Sequence, residues 1–145
     1  MKFSFGQSER ERIQVDVSAY KRSASGEYHD DNWLTATIAV CVGGFSGRVG
    51  AAIVTDELVR FAQQLHRLYE ELSGSAEFST LEGQLSLTLS CDTRGHVALR
   101  GEVLDQAGIG NRLSFHLDLD QSFLQQSIRD LDTVIRAFPV RHAKT

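Results

Sequence analysis

Ser114, His116 and Asp118 fall at alternate positions of one apparent strand, and a serine, a histidine and a carboxylate are the parts of a hydrolase triad. A working triad holds its members within about 3 Å of one another. Alternate residues on a strand stand nearly 7 Å apart at a rise of ~3.3 Å per residue, so these three read as one face of a solvated sheet. Asp92 and His96 flank a turn and are close enough to meet, yet nothing in the sequence supplies a nucleophile or an oxyanion site beside them. The glycines at 43, 44 and 47, and the run Gly108-Ile109-Gly110-Asn111, resemble phosphate loops in composition alone. A phosphate loop opens a helix, whereas both of these open strands, so they read as hairpin turns. Cys41 and Cys91 lie in apparent strands without a CxxC spacing and read as buried free thiols. Zinc sites use closely spaced pairs of Cys or His converging four ligands, a pattern missing here, so neither a metal nor a cofactor is expected. Asp30-Asp31-Asn32-Trp33 is the densest polar and aromatic cluster. It serves either as a contact site or as a loop anchor, with Asp and Asn satisfying turn amides while Trp33 plugs the core.

The elements that must position these residues belong to an ordinary globular chain. Of 145 residues 41% are hydrophobic and 23% charged, with one proline and a formal net charge of −4. Disordered chains are poor in apolar residues and strongly charged, so that class is excluded. No apolar run approaches the ~20 residues a membrane helix needs, and residues 1–6 lead into polar sequence, so no membrane association and a cytoplasmic location are expected. Nucleic-acid binding calls for a basic patch, but the Lys and Arg residues are dispersed in a net acidic chain. Direct binding of RNA or DNA is therefore not expected, and a basic protein partner suits the charge better.

Ile13, Val15, Val17 and Ala19 alternate with polar residues, predicting a strand near 11–20. Leu34 to Val42 and Val49 to Ile53 repeat the pattern around a glycine turn, and residues 2–5 form a short first strand. From Thr55 the period becomes 3.6: Leu58, Phe61, Ala62, Leu65, Leu68, Tyr69 and Leu72 share one helical face over 56–73. Thr55 is the expected N-cap, and Gly74 the expected left-handed terminator. Matching apolar residues across hairpins sets Phe78 opposite Leu87 through a Glu82-Gly83 turn, and Leu89 opposite Leu99 through a three-residue Thr93-Arg94-Gly95 loop. It also sets Gly101 opposite Phe115, whose ring would cover the glycine. Thr88, Arg100, Glu102, Ser114, His116 and Asp118 collect on the opposite, polar face. Asp120 caps a second helix with the stripe Leu124, Ile128, Leu131, Ile135 and Phe138, ended by Pro139.

The second helix repeats the apolar stripe of the first. The expected fold is a single α+β domain over residues 1–139, with an antiparallel sheet of about seven or eight strands and two amphipathic helices on its apolar side. A ββββα pseudo-repeat, with halves near 1–74 and 75–139, competes with one curled sheet lacking internal symmetry. Residues 140–145 are expected to form a loose tail.

Four stretches in order carry a family resemblance: Asp30-Asp31-Asn32-Trp33-Leu34; Gly44-Phe45-Ser46-Gly47; Phe78-Ser79-Thr80-Leu81-Glu82 with Gly95-His96; and Gly108-Ile109-Gly110-Asn111-Arg112-Leu113-Ser114-Phe115 running to Asp120-Gln121-Ser122-Phe123-Leu124. The chain resembles the WapI-type immunity proteins over nearly its whole length. The resemblance implies a non-catalytic bacterial antitoxin, encoded beside a polymorphic toxin of the WapA type, that binds its cognate C-terminal toxin domain. Such toxins are often nucleases with basic clefts. Partner contacts are accordingly expected among Asp30, Asp31, Glu102, Asp105 and Asp118, on loops and the polar face. The competing classes are a small-ligand-binding domain, which needs a concave apolar pocket, and a hydrolase, which needs His116 or His96 to converge with a nucleophile. Whether the chain is a monomer or a weak dimer is left open by the residues.

Overall fold

The computed structural model describes residues 1–142. Strands β1 (Lys2–Ser8) and β2 (Glu11–Tyr20) lead through a one-turn helix α1 (Tyr28–Asp31) to β3 (Trp33–Val42), β4 (Phe45–Val54) and helix α2 (Thr55–Glu71). Four more strands, β5 (Gly74–Ser79), β6 (Leu85–Cys91), β7 (His96–Gln106) and β8 (Ile109–Asp120), are followed by helix α3 (Gln121–Ala137). All pairings are antiparallel, and the eight strands divide into two sheets ordered β1-β2-β3-β4 and β5-β6-β7-β8. The α+β class, the eight strands and the two amphipathic helices stand as expected. Each four-strand meander is followed by a helix of 17 residues.

Apolar matching across hairpins set the register correctly. Phe78 pairs with Leu87, Leu89 with Leu99, Val103 with Leu113, and Gly101 with Phe115. A side chain at 101 would place its Cβ 2.4 Å from the Phe115 Cζ, so the ring does occupy the space the glycine leaves. Gly95 takes the left-handed position in the three-residue loop, with φ +78°. The turn at Glu82-Gly83 is wider than two residues. Thr80 N–H donates to the Leu85 carbonyl at 3.0 Å and Gly83 N–H to the Thr80 carbonyl at 2.9 Å, leaving residues 81–84 in the loop. The loop gains one residue on each side, which leaves the pairing of the strands unaltered.

The helix ends also depart from expectation. Val54, with extended φ and ψ, holds the N-cap position of α2, and Thr55 lies inside the helix. The Thr55 hydroxyl donates instead to Asn32 Oδ1 at 2.7 Å, while the Glu57 carboxylate accepts the Val54 N–H at 2.7 Å. At the other end Leu72 itself turns left-handed, with φ 52°, before Gly74 opens β5. Asp120 does cap α3, accepting the Ser122 N–H at 2.9 Å. On α3, Ser127 and Val134 join Leu124, Ile128 and Leu131 on the buried face, while Ile135 and Phe138 pack at its margin.

One apolar cluster joins the inner faces of both sheets to both helices. Phe61 of α2 sits at its centre, its ring centroid 5.8 Å from Phe5 of β1 and 5.1 Å from Phe78 of β5. The helices serve the halves crosswise: α2 lies along β5, and α3 lies along β1. Where the two helices meet, His66 Nε2 is 2.9 Å from Asp132 Oδ2, and these positions are 66 residues apart, the same offset that relates the two apolar stripes.

An edge strand exposes unpaired backbone, which soluble proteins blunt. Here a polar side chain reaches each outer strand. Ser127 of α3 donates to the Ser4 carbonyl of β1, and Gln64 of α2 accepts the Glu77 N–H of β5 at 2.9 Å. Gln84 donates to the Gly50 carbonyl of β4 at 2.9 Å, and Gln7 to the Asp118 carbonyl of β8 at 2.6 Å. Gln84 and Ser127 are themselves buried.

Phe61→Ala should cost about 3–5 kcal/mol, the usual range for emptying a buried aromatic site. Phe45→Ala, at a position 67% exposed, should stay within about 0.5 kcal/mol of the parent. Urea unfolding followed by circular dichroism checks both.

Candidate interaction surface

The Asp30-Asp31-Asn32-Trp33 cluster is built around two fully buried polar side chains. Asp31, at the end of α1, has no exposed surface. Its carboxylate accepts the Ser25 N–H at 2.9 Å, the Gly26 N–H at 2.8 Å and the Ser25 hydroxyl at 2.9 Å, and it meets His142 Nε2 at 2.8 Å. Burial alone would push its pKa up, but these donors outweigh burial and hold it down at about 2. Asn32 Nδ2 donates to the Tyr28 and Arg141 carbonyls at 2.7 and 2.9 Å, and Asn32 Oδ1 accepts the Arg141 N–H at 2.8 Å. Arg141 also stacks its guanidinium 3.4 Å from the Tyr20 ring centroid.

Of the stretch expected to be a loose tail, Arg141 and His142 are therefore tied to the α1 loop, and residues 143–145 lie outside the described residues. The expectation of Asp31 as a partner contact is corrected on the same grounds. A carboxylate with no solvent exposure and all these donors cannot reach a partner. Asp30 beside it is exposed and lies 3.8 Å from Arg22. Trp33 is half-buried at the start of β3, not a core plug.

The other three residues sit on β7 and β8. Glu102 and Asp118 are exposed on the outer face of the second sheet with Arg100, Ser114 and His116. Glu102 meets Arg112 and Ser114 at 3.5 and 3.4 Å. Asp118 meets His96 at 3.3 Å. Asp105 anchors its own hairpin, accepting the Asn111 N–H at 2.8 Å and its Nδ2 at 3.1 Å, and these bonds lower its pKa. Ser114, His116 and Asp118 do not converge: Ser114 turns to Glu102, and Asp118 to His96. Asp92 is a turn residue, accepting the Arg94 and His96 N–H groups at 2.8 and 3.0 Å. Both cysteines are free but half-buried, and burial pushes the Cys91 thiol pKa up.

An open groove of about 520 Å³ crosses this outer face, floored by Thr88, Arg100, Glu102, Ser114 and His116. A second cleft of about 400 Å³ continues from Ser114 and His116 to Glu11, Val42, Gly43 and Phe45. Phe45, at the β3–β4 turn, and Ile109, at the β7–β8 turn, are exposed by 67% and 72%. Neither concavity is the enclosed apolar pocket that a small-ligand domain needs.

Two four-strand sheets and two long helices thus present a broad polar face beside the exposed side chains of Phe45 and Ile109. The chain belongs to the immunity protein WapI-like family, whose model matches residues 4–139, and that membership supports an immunity role. No curated protein sequence matches the chain. Among the described residues, no helix is long and apolar enough to cross a membrane. Sequence reasoning identified the outer face through strand alternation, but missed the Asn32–Arg141 clasp, because nothing local connects positions 109 residues apart.

Because the folded-state pKa of Asp31 lies below the ordinary carboxylate value, the unfolded chain takes up this proton first as pH falls. Its stabilisation should be complete above about pH 4, decline below that, and vanish once the pH passes about 2. Urea midpoints measured down to that pH check this; Asp31→Asn should lower the midpoint at neutral pH and flatten the acid limb.

Proposed function

We propose that this protein is a non-catalytic inhibitor that binds and neutralises a cognate toxin domain of the WapA type. Family membership over residues 4–139 carries the reading. The outer face of β5–β8 is the proposed contact surface, with Glu102, Asp105 and Asp118 on it and Asp30 on the α1 loop as a further contact. A net charge of −4 suits a toxin with a basic cleft, such as a nuclease, since opposite charges steer the encounter of two proteins. On this reading the protein acts in the bacterial cytoplasm. Inhibition of this kind needs no converging nucleophile and base, only a stable scaffold with a specific surface.

The test is to express the C-terminal domain of the toxin encoded beside this chain in a bacterial host, with and without the protein. Growth rescue together with co-elution on size exclusion is the expected result. Continued toxicity with no complex overturns the proposal. The double variant Glu102→Lys with Asp118→Lys should slow association about tenfold at low salt and flatten its salt dependence. Stopped-flow mixing at several ionic strengths measures this, and unchanged rates would show that the charged contacts lie elsewhere.

A further inference from the structure

The edge of β8 is only partly occupied, and the ladder shows which of its groups are free. Asp92 N–H bonds to the His96 carbonyl, and Leu104 N–H to the Gln84 carbonyl, so the even-numbered residues of β7 bond toward β6. Its odd-numbered residues therefore bond β8, where Leu113, Phe115 and Leu117 answer them. Arg112, Ser114, His116 and Asp118 must turn their backbone N–H and C=O groups away from the sheet. Gln7 takes the carbonyl of Asp118. From Arg112 to His116 no such bond is made among the described residues. The edges of β1 and β5, by contrast, lie along α3 and α2.

We infer that the Arg112–His116 edge of β8 is the docking site for an extended segment of the toxin, which adds to the second sheet as a further strand. The inference rests on the proposed function and names its mode of binding. A row of alternating donors and acceptors is satisfied most completely by another extended backbone. The edge also forms one wall of the 400 Å³ cleft whose opposite wall is Glu11, Val42, Gly43 and Phe45. An entering strand would set every second side chain against Val42, Phe45 and Leu113, and the others beside Ser114 and His116. The matching segment is therefore one that alternates apolar and polar residues. A second copy of this chain suits the edge less well, because two chains of net charge −4 repel one another.

Two measurements on the full chain test this. Amide exchange followed by NMR should slow at least about tenfold at Ser114 and His116 when the toxin domain is bound. Ser114→Pro removes an outward N–H and leaves the bonds to β7 in place, a substitution that edge strands tolerate. It should weaken toxin binding at least about tenfold, whereas Ser114→Ala should stay within about threefold. A wild-type complex in which the Ser114 and His116 amides exchange at the free rate overturns the inference but leaves the proposed function intact. So does a folded proline variant that binds like wild type. Slowed exchange at these amides in the protein alone, growing with its concentration, assigns the edge to a second copy and also overturns it. Absence of any wild-type complex removes the proposed function and this inference together. Should the proline variant fail to fold, the exchange measurement alone decides.

Discussion

The ring of Phe61 fills the space between Phe5 of the first sheet and Phe78 of the second, and that contact dictates where α2 can run. A helix anchored there must cross from the sheet it follows to the sheet that follows it. It then lies along β5, which places Gln64 against the β5 backbone and leaves the first strand of the other sheet to α3. The crosswise arrangement commits both inner faces and both helices to one core. It turns the polar alternation of β6, β7 and β8 outward as a continuous surface.

Much of this was legible in the sequence, for a specific reason. A strand slipped by one residue exposes its whole apolar set, so apolar matching leaves one register for each hairpin, and Leu89 against Leu99 or Gly101 against Phe115 could be read without coordinates. Division into two sheets was less accessible, because apolar alternation shows which side of a strand is buried but not which strands share a sheet. Thr55 shows the limit of capping rules: as a threonine before an apolar periodic run it has the right type, yet Asn32 claims its hydroxyl and Val54 takes the N-cap position instead. Asp31 was misplaced for a related reason. A carboxylate in a polar loop looks like a surface group, and only the return of residues 141 and 142 over the loop shows that it is enclosed.

Buried polar side chains do most of the joining between elements. Asn32, Thr55, Gln84 and Ser127 each connect segments distant in sequence, and among the described residues every buried side-chain polar atom has a hydrogen-bond partner. Their bonds tie the α1 loop to α2 and to Arg141, the β5–β6 turn to β4, and α3 to β1.

The contact between His66 and Asp132 follows from the same layout. Two positions that correspond under an internal repeat can touch only close to the axis that relates the halves. In an assembly of two identical subunits such a site would set histidine against histidine, or aspartate against aspartate, with like charges facing whenever both ionise. Because one continuous chain encodes the two positions separately, they carry different side chains, and a place where symmetry would impose repulsion holds an attractive pair.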